Sequence, residues 1–237
     1  MKDRFDILFL IGRPAAGKSE IIKYLKECGA EERLERFHVG PFYEIDDFPM
    51  LWAWFEEDAL LERMDRPRLH TGKDGYFSGR HLWDLLIRRL DLEYKKNKDE
   101  RAGETAVIEF ARGTEHGGFK GAFPHFSDEV LENGAVMYID VSWEESLRKN
   151  RRRFNPDKPH SILEHGLPDE KMERLYRGSD WSEFSSKDPG YLDVRGIKVP
   201  YAVFPNGDDV TTPGGGALGR RLEEVLGVLW ERRAVVP

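Results

Sequence analysis

Eight consecutive residues carry the most definite chemistry in this chain: Gly12-Arg13-Pro14-Ala15-Ala16-Gly17-Lys18-Ser19. They fit the phosphate-binding pattern of a glycine, four residues, then Gly-Lys-Ser/Thr. Two glycines at this spacing let the backbone turn tightly and approach a phosphate closely. The backbone from Gly12 through Ala15, Ala16, Gly17, Lys18, Ser19 and Glu20 would then converge on phosphate oxygens. It would do so at a helix N-terminus, where the dipole favours negative charge. Lys18 is a flexible point charge that can follow the β- and γ-phosphates. The Ser19 hydroxyl can ligate Mg²⁺.

Three further groups have side chains suited to the same chemistry. Asp46 and Asp47 follow a β-rich stretch at 42–45. A carboxylate there can accept a proton from an attacking hydroxyl, or it can cap the next helix. Glu109 closes an apolar run at 105–110, with Arg112 just beyond. It reads either as a Mg²⁺ ligand or as a solvated strand end. Arg148, Arg151, Arg152 and Arg153 crowd one helix end. They can neutralise a transferring phosphoryl group or complement the helix dipole, and at most two or three can face one cleft. Other residues read more plainly. His116 and His125 lack metal-ligand spacing, Glu56-Glu57-Asp58 reads as a solvated face, Trp52, Trp54 and Trp83 as core, and Asp208-Asp209 as a turn.

These groups need elements to position them. The apolar run 5–11 has strand length and precedes the loop, while 20–28 follows with Ile21, Leu25 and Cys28 on one helical face. Further strands are predicted at 42–45, 105–110, 135–141 and 199–204. Helices are predicted at 48–65, 80–98 and 127–132, after Ser142, and near the C-terminus with the stripe Leu218, Leu222, Val225, Leu226 and Leu229. Segment 30–41 reads as charged connection, and 154–190 as polar chain with little strand character. Alternating strands and helices argue an α/β fold with a parallel sheet and helices on both faces. In such sheets ligands sit beyond the carboxyl ends of the strands. That places the phosphate loop, the Asp pair, Glu109 and the arginines around one cleft.

Composition bounds the function classes. The chain has 237 residues, 39% hydrophobic and 34% charged, with a formal net charge of −7. One domain of this size can bury a sizeable core. An acidic chain argues against general nucleic-acid binding. The single Cys28 excludes an intrachain disulfide, and no apolar run is long enough to span a bilayer. The N-terminal residues lack a signal-peptide layout, so a cytoplasmic setting is expected.

In motif order the chain resembles the P-loop small-molecule kinases, a nucleotide-kinase-like branch of the P-loop NTPases, especially the uridine kinase and phosphoribulokinase type. The phosphate loop is common to that superfamily. Asp46-Asp47-Phe48 looks like the Asp-Asp-Phe that ends its second strand, and Val107-Ile108-Glu109 like its apolar strand ending in Glu. The run 147–153 is similar to a basic lid helix, and 203–208 to a loop that packs on adenine. Pro14 and Glu20 depart from the usual pattern. The resemblance implies a single kinase-like domain over 1–237, with a mobile helical lid or insertion at 148–190. It implies ATP and Mg²⁺ as cofactors and a nucleoside, nucleotide or sugar-like metabolite as acceptor. Lys18, Asp47 (or Asp46), Arg148 and Arg152 would be catalytic. Ser19 and Glu109 would hold the metal, and Asp47 and Arg112 the acceptor. Two alternatives belong to other classes: a regulatory ATPase switch acting on a protein partner, and a kinase of polynucleotide ends.

Overall fold

A computed structural model of the chain describes residues 3–153 and 166–235. The elements run β1 (Ile7–Gly12), α1 (Lys18–Glu27), α2 (Ala30–Phe37), β2 (Phe42–Asp46), α3 (Asp47–Arg63), α4 (His81–Asn97) and β3 (Thr105–Phe110). Two short 3₁₀ turns, Thr114–His116 and Phe123–His125, flank α5 (Gly118–Ala122). Then come α6 (Asp128–Glu132), β4 (Gly134–Asp140), α7 (Trp143–Arg153), α8 (Asp169–Tyr176), α9 (Trp181–Phe184), β5 (Tyr191–Val194), β6 (Ile197–Pro205) and α10 (Gly215–Val235). The sheet order is β2-β3-β1-β4-β6-β5, parallel throughout except for β5.

The alternation of side chains along the strands explains the layers. Ile7, Phe9 and Ile11 of β1 join Ile108, Phe110, Val136 and Tyr138 in a core with α4, α5 and α6. Leu8 and Leu10 point the other way, joining Val107, Met137 and Ile139 in a second core with α1, α2 and α10. Both faces are covered, so the strands read as nearly continuous apolar runs. The architecture is α/β with helices on both faces, as the sequence predicts. Among the described residues no helix is long and apolar enough to cross a membrane.

Two elements differ from expectation. Segment 30–37 is a helix, not a connection. Glu31 and Glu32 sit in its first turn and Arg36 in its last, which suits the helix dipole, and Phe37 is fully buried. Its apolar face is too narrow to show as a stripe. The polar stretch is followed by the extra edge strand β5, which forms a hairpin with β6. Arg195 and Gly196 both have positive φ (54° and 85°), as a two-residue type I′ turn requires. Segment 154–165 of the expected lid lies outside the described residues, and 166–190 carries α8 and α9.

Candidate functional site

The loop between β1 and α1 is locked sterically. A Cβ on Gly12 would stand 2.8 Å from the Ile139 carbonyl oxygen. Gly17 has φ 111°, and a Cβ there would meet the Thr211 hydroxyl at 2.6 Å. Side chains from distant elements hold the loop from behind. Asn206 Nδ2 donates to the Ala16 carbonyl at 2.8 Å, and Ser146 Oγ to the Pro14 carbonyl at 2.8 Å. The Arg13 guanidinium donates to the carbonyls of Tyr176 and Arg177 at the end of α8. The rigidity therefore comes from β4, α7, α8 and the turn after β6.

A small cavity of about 120 Å³ opens beside the loop, lined by Lys18, Ser19, Asp46, Asp47, Glu109 and Arg153 among others. Parallel pairing makes this convergence, since Asp46 and Glu109 are direct partners at the ends of β2 and β3. Lys18 is 6% exposed. Its Nζ lies 3.9 Å from Glu109 Oε1 and 3.3 Å from the Arg13 carbonyl. Arg153 Nη2 lies 3.5 Å from Ser19 Oγ.

Crowding and burial keep the two strand-end carboxyls reluctant to ionise. Burial, then the charges of Glu109 and Asp47, push Asp46 up to about 7. Burial also raises Glu109, against the pull of Lys18. A hard divalent cation suits this surplus of negative oxygen. Asp46, Glu109 and the Ser19 hydroxyl are all oxygen donors, as Mg²⁺ prefers. Among the described residues no cluster of three or more His, Cys, Asp or Glu could cage a metal. One or two carboxylates plus phosphate oxygens and water is the usual Mg²⁺ arrangement.

The two aspartates have different surroundings. Asp46 accepts the Phe48 amide at 3.0 Å, so it caps α3. Asp47 is buried in an ion pair with Arg112 at 2.5 Å. Arg112 is itself 3% exposed, donates to the Ala111 carbonyl and stacks its cation over Trp83 and Phe110. Arg112 therefore faces Asp47 and does not line the small cavity.

The arginine run is sorted by helix rotation. Arg153 alone of the four lines the loop cavity. Arg148 is paired with Glu145 at 2.6 Å and Asp209 at 3.1 Å, outside it. Arg151 pairs with Asp169. Arg152 is exposed and does not line the cavity either. Of the arginines expected to act on the phosphoryl group, neither Arg148 nor Arg152 lines this cavity, and Arg153 does. Gly12, Ala16 and Gly17 shape the loop, and Glu20 is exposed on α1.

A second, larger cavity of about 440 Å³ adjoins the first. Phe48, Leu51, Trp83, Leu167 and Tyr176 line both. Sequence reasoning missed this cavity, although it singled out two of its tryptophans. Trp83 is buried as expected, yet it is also a wall, with His116 stacked on it at 3.7 Å. His116 is 3% exposed, and both ring nitrogens lack a hydrogen-bond partner among the described residues. Burial, with the nearby Arg112 and Arg80, lowers its pKa to about 3 and keeps it neutral. The acidic patch on α3 also departs from expectation. Asp58 is fully buried and accepts the amides of Leu69, His70 and Thr71 and the Thr71 hydroxyl.

No protein family matches the sequence, and no curated protein sequence is similar to it. Solved structures similar in shape include the following three. TT1252 from Thermus thermophilus is 15% identical over 96% of this chain and 98% of its own, with a TM-score of 0.44. A sugar kinase from Janibacter sp. HTCC2649 is 12% identical over 96% and 98%, at 0.46. Kti12 from Chaetomium thermophilum, in complex with ADP-AlF3, is 12% identical over 95% and 98%, at 0.49.

Proposed function

We propose that this chain is a small-molecule kinase that moves the γ-phosphoryl group of ATP, with Mg²⁺, onto a hydroxyl of a metabolite. The observation that supports this reading is the adjacency of the two cavities. A phosphate cradle alone would suit any nucleotide-binding protein. Here the cradle adjoins a separate pocket of ligand size through shared walls.

Phosphoryl transfer needs positioning and charge neutralisation more than covalent chemistry. The loop amides and Lys18 hold the β- and γ-phosphates. Ser19 and Glu109 would hold Mg²⁺, directly or through water, and the ion would supply positive charge to the phosphates. The acceptor oxygen bonds to the γ-phosphorus as the bond to the β–γ bridging oxygen breaks. The hydroxyl proton goes to a strand-end carboxylate. Asp46 suits that role better than Asp47, because Asp47 is already committed to Arg112 and a base poised near pH 7 transfers protons well. Asp47 and Arg112 then act by position. Arg153, which lines the same cavity beside Ser19, would neutralise charge on the transferring group. The reading includes a cytoplasmic setting, where ATP and Mg²⁺ are at hand.

The test is ATP consumption with Mg²⁺ across nucleosides, nucleotides, sugars and aryl alcohols, with Lys18→Ala as control. A compound that stimulates turnover and gains a phosphoryl mass names the acceptor. ATP binding with no stimulation by any compound, but stimulation by a protein fraction, would replace this reading with that of a regulatory ATPase.

A further inference from the structure

The larger cavity has two kinds of wall. Near the shared residues it is aromatic: Phe55, Phe77 and Trp83 form a contiguous set, with Phe77–Trp83 centroids 4.7 Å apart and Phe55–Phe77 centroids 5.7 Å apart. Outside the walls shared with the small cavity it is cationic. Arg80, Lys171 and Arg174 line this cavity but not the small one. One carboxylate, Glu115, accompanies them, so three positive charges face one negative. The Tyr76 ring orders two of the cations, with Arg174 4.1 Å and Lys171 5.2 Å from its centroid. Lys171 also donates to the Gly75 carbonyl at 3.0 Å, and Arg174 reaches Glu115 at 3.4 Å.

These walls discriminate between acceptor classes. A polyol brings hydroxyls on every side, and burying them against rings without partners is costly. A flat ring gains from the same surface by burial and stacking. The excess positive charge lies off the walls shared with the small cavity, so it is available to a second anionic group on the acceptor. The His116 imidazole, without a hydrogen-bond partner among the described residues, adds a polar need beside the shared wall Trp83, which a hydroxyl or ring nitrogen would meet.

We propose that the acceptor is a planar aryl or heteroaryl compound with its reacting hydroxyl at one end and a carboxylate or phosphate at the other. This rests on the kinase reading for the word acceptor, and on the cavity alone for the ligand class. The cations off the shared walls would set the ligand's direction, so that its hydroxyl points through the shared walls toward Asp46.

Calorimetric titration of the full chain with three matched probes tests it: a hydroxymethylnaphthoate, naphthylmethanol and gluconate. The naphthoate should bind roughly tenfold more tightly than the neutral alcohol, the difference expected for two partly exposed charge contacts. Gluconate should give no heat of binding. Lys171→Gln with Arg174→Gln should weaken the naphthoate to the level of naphthylmethanol and leave naphthylmethanol unchanged. Equal binding of naphthoate and alcohol, gluconate binding as tight as the naphthoate, or no binding by either aryl probe overturns the proposal. Adding MgATP separates the two readings. A naphthoate that binds but gains no phosphoryl group leaves the ligand class standing and counts against the kinase. Phosphorylation of gluconate does the reverse.

Discussion

At the phosphate-loop end the loop itself is eight consecutive residues, presented largely as backbone, and Asp46, Glu109 and Arg153 close on it. At the aromatic end the working parts come from α3, the 72–79 loop, the start of α4, the turn at Thr114–His116 and α8. The first end is tightly held: a Cβ at Gly12 or Gly17 collides, and Asn206 and Ser146 grip the loop carbonyls. The second is built from side chains that stack on one another. A loop of this kind can serve many acceptors unchanged, because phosphate is always the same ligand. An aromatic wall can change its ligand by single substitutions without touching the phosphate chemistry. On the kinase reading, chemistry and specificity occupy separate parts of one cleft, joined by Asp47–Arg112 and the shared walls.

The largest effect should come from cutting that joint. Arg112→Ala leaves the Asp47 carboxylate buried without its cation and removes the ring contacts to Trp83 and Phe110. Breaking a buried pair from one side costs about 3–5 kcal/mol, read as a shift in the urea unfolding midpoint. A loss below about 1 kcal/mol would mean the pair does not tie the ends together. Next is Lys18→Ala, which acts at one end only. Turnover should fall about 10²- to 10³-fold, as for a lost charge-stabilising donor. Stability should move by no more than about 1 kcal/mol, since the contacts of Lys18 at 3.3 and 3.9 Å are weak. Retained turnover would remove the loop from the chemistry.

The same division explains what could be read from the sequence. The loop, the strand ends Asp46 and Glu109, and the helix cap at Ser142 follow from local spacing, and each is where its residues imply. Trp83 and His116 could not be assigned to a cavity, because their stacking joins α4 to a turn more than 30 residues away. Asp58 looks like solvated charge beside Glu56 and Glu57, yet it folds back on the 69–71 amides. Nothing local distinguishes it from its neighbours. In sequence Arg153 is one of four similar arginines; only the packing of the end of α7 beside Ser19 singles it out. The β5–β6 hairpin did leave a signal, Asp193-Val194-Arg195-Gly196-Ile197, with the Gly where a type I′ turn needs one. Its four-residue strand is too short for periodicity to register.

Two intermediate predictions set the ends against each other by their carboxylates. Asp46 is raised to about 7 by burial and by Glu109 and Asp47, so the folded chain holds a proton that the unfolded chain releases near pH 4. Its contribution to stability is complete below pH 4 and is lost as pH rises through about 7. Urea midpoints from pH 4 to 8 should therefore fall in wild type more steeply than in Asp46→Asn, and MgCl2 should flatten the wild-type slope. Parallel curves would show that Asp46 is not perturbed. Asp58 runs the opposite way. Burial opposes its charge, but three amides and a hydroxyl outweigh that and lower it to about 2. Its contribution is present above pH 4 and lost as pH falls through about 2. Asp58→Ala orphans those donors, and about 1–3 kcal/mol should be lost. The 72–79 wall should loosen with it, so that aryl probes bind less tightly while ATP binding is unchanged.

The smallest effect tests whether the loop's support is as local as its motif. Ser142 Oγ accepts the Glu145 amide at 3.1 Å and caps α7. One turn on, the fully buried Ser146 grips the Pro14 carbonyl, and at the far end of the helix Arg153 meets Ser19. Ser142→Ala removes only the cap, about 1 kcal/mol, which a thermal melt resolves. If α7 is held in place by Ser146 and by Lys149, which pairs with Asp209, nucleotide affinity will not change. A fall in ATP affinity beyond the lost stability would mean that the start of α7 also sets the loop. The phosphate end would then depend on long-range packing as much as the aromatic end does, and the separation between them would narrow to the glycines and Lys18.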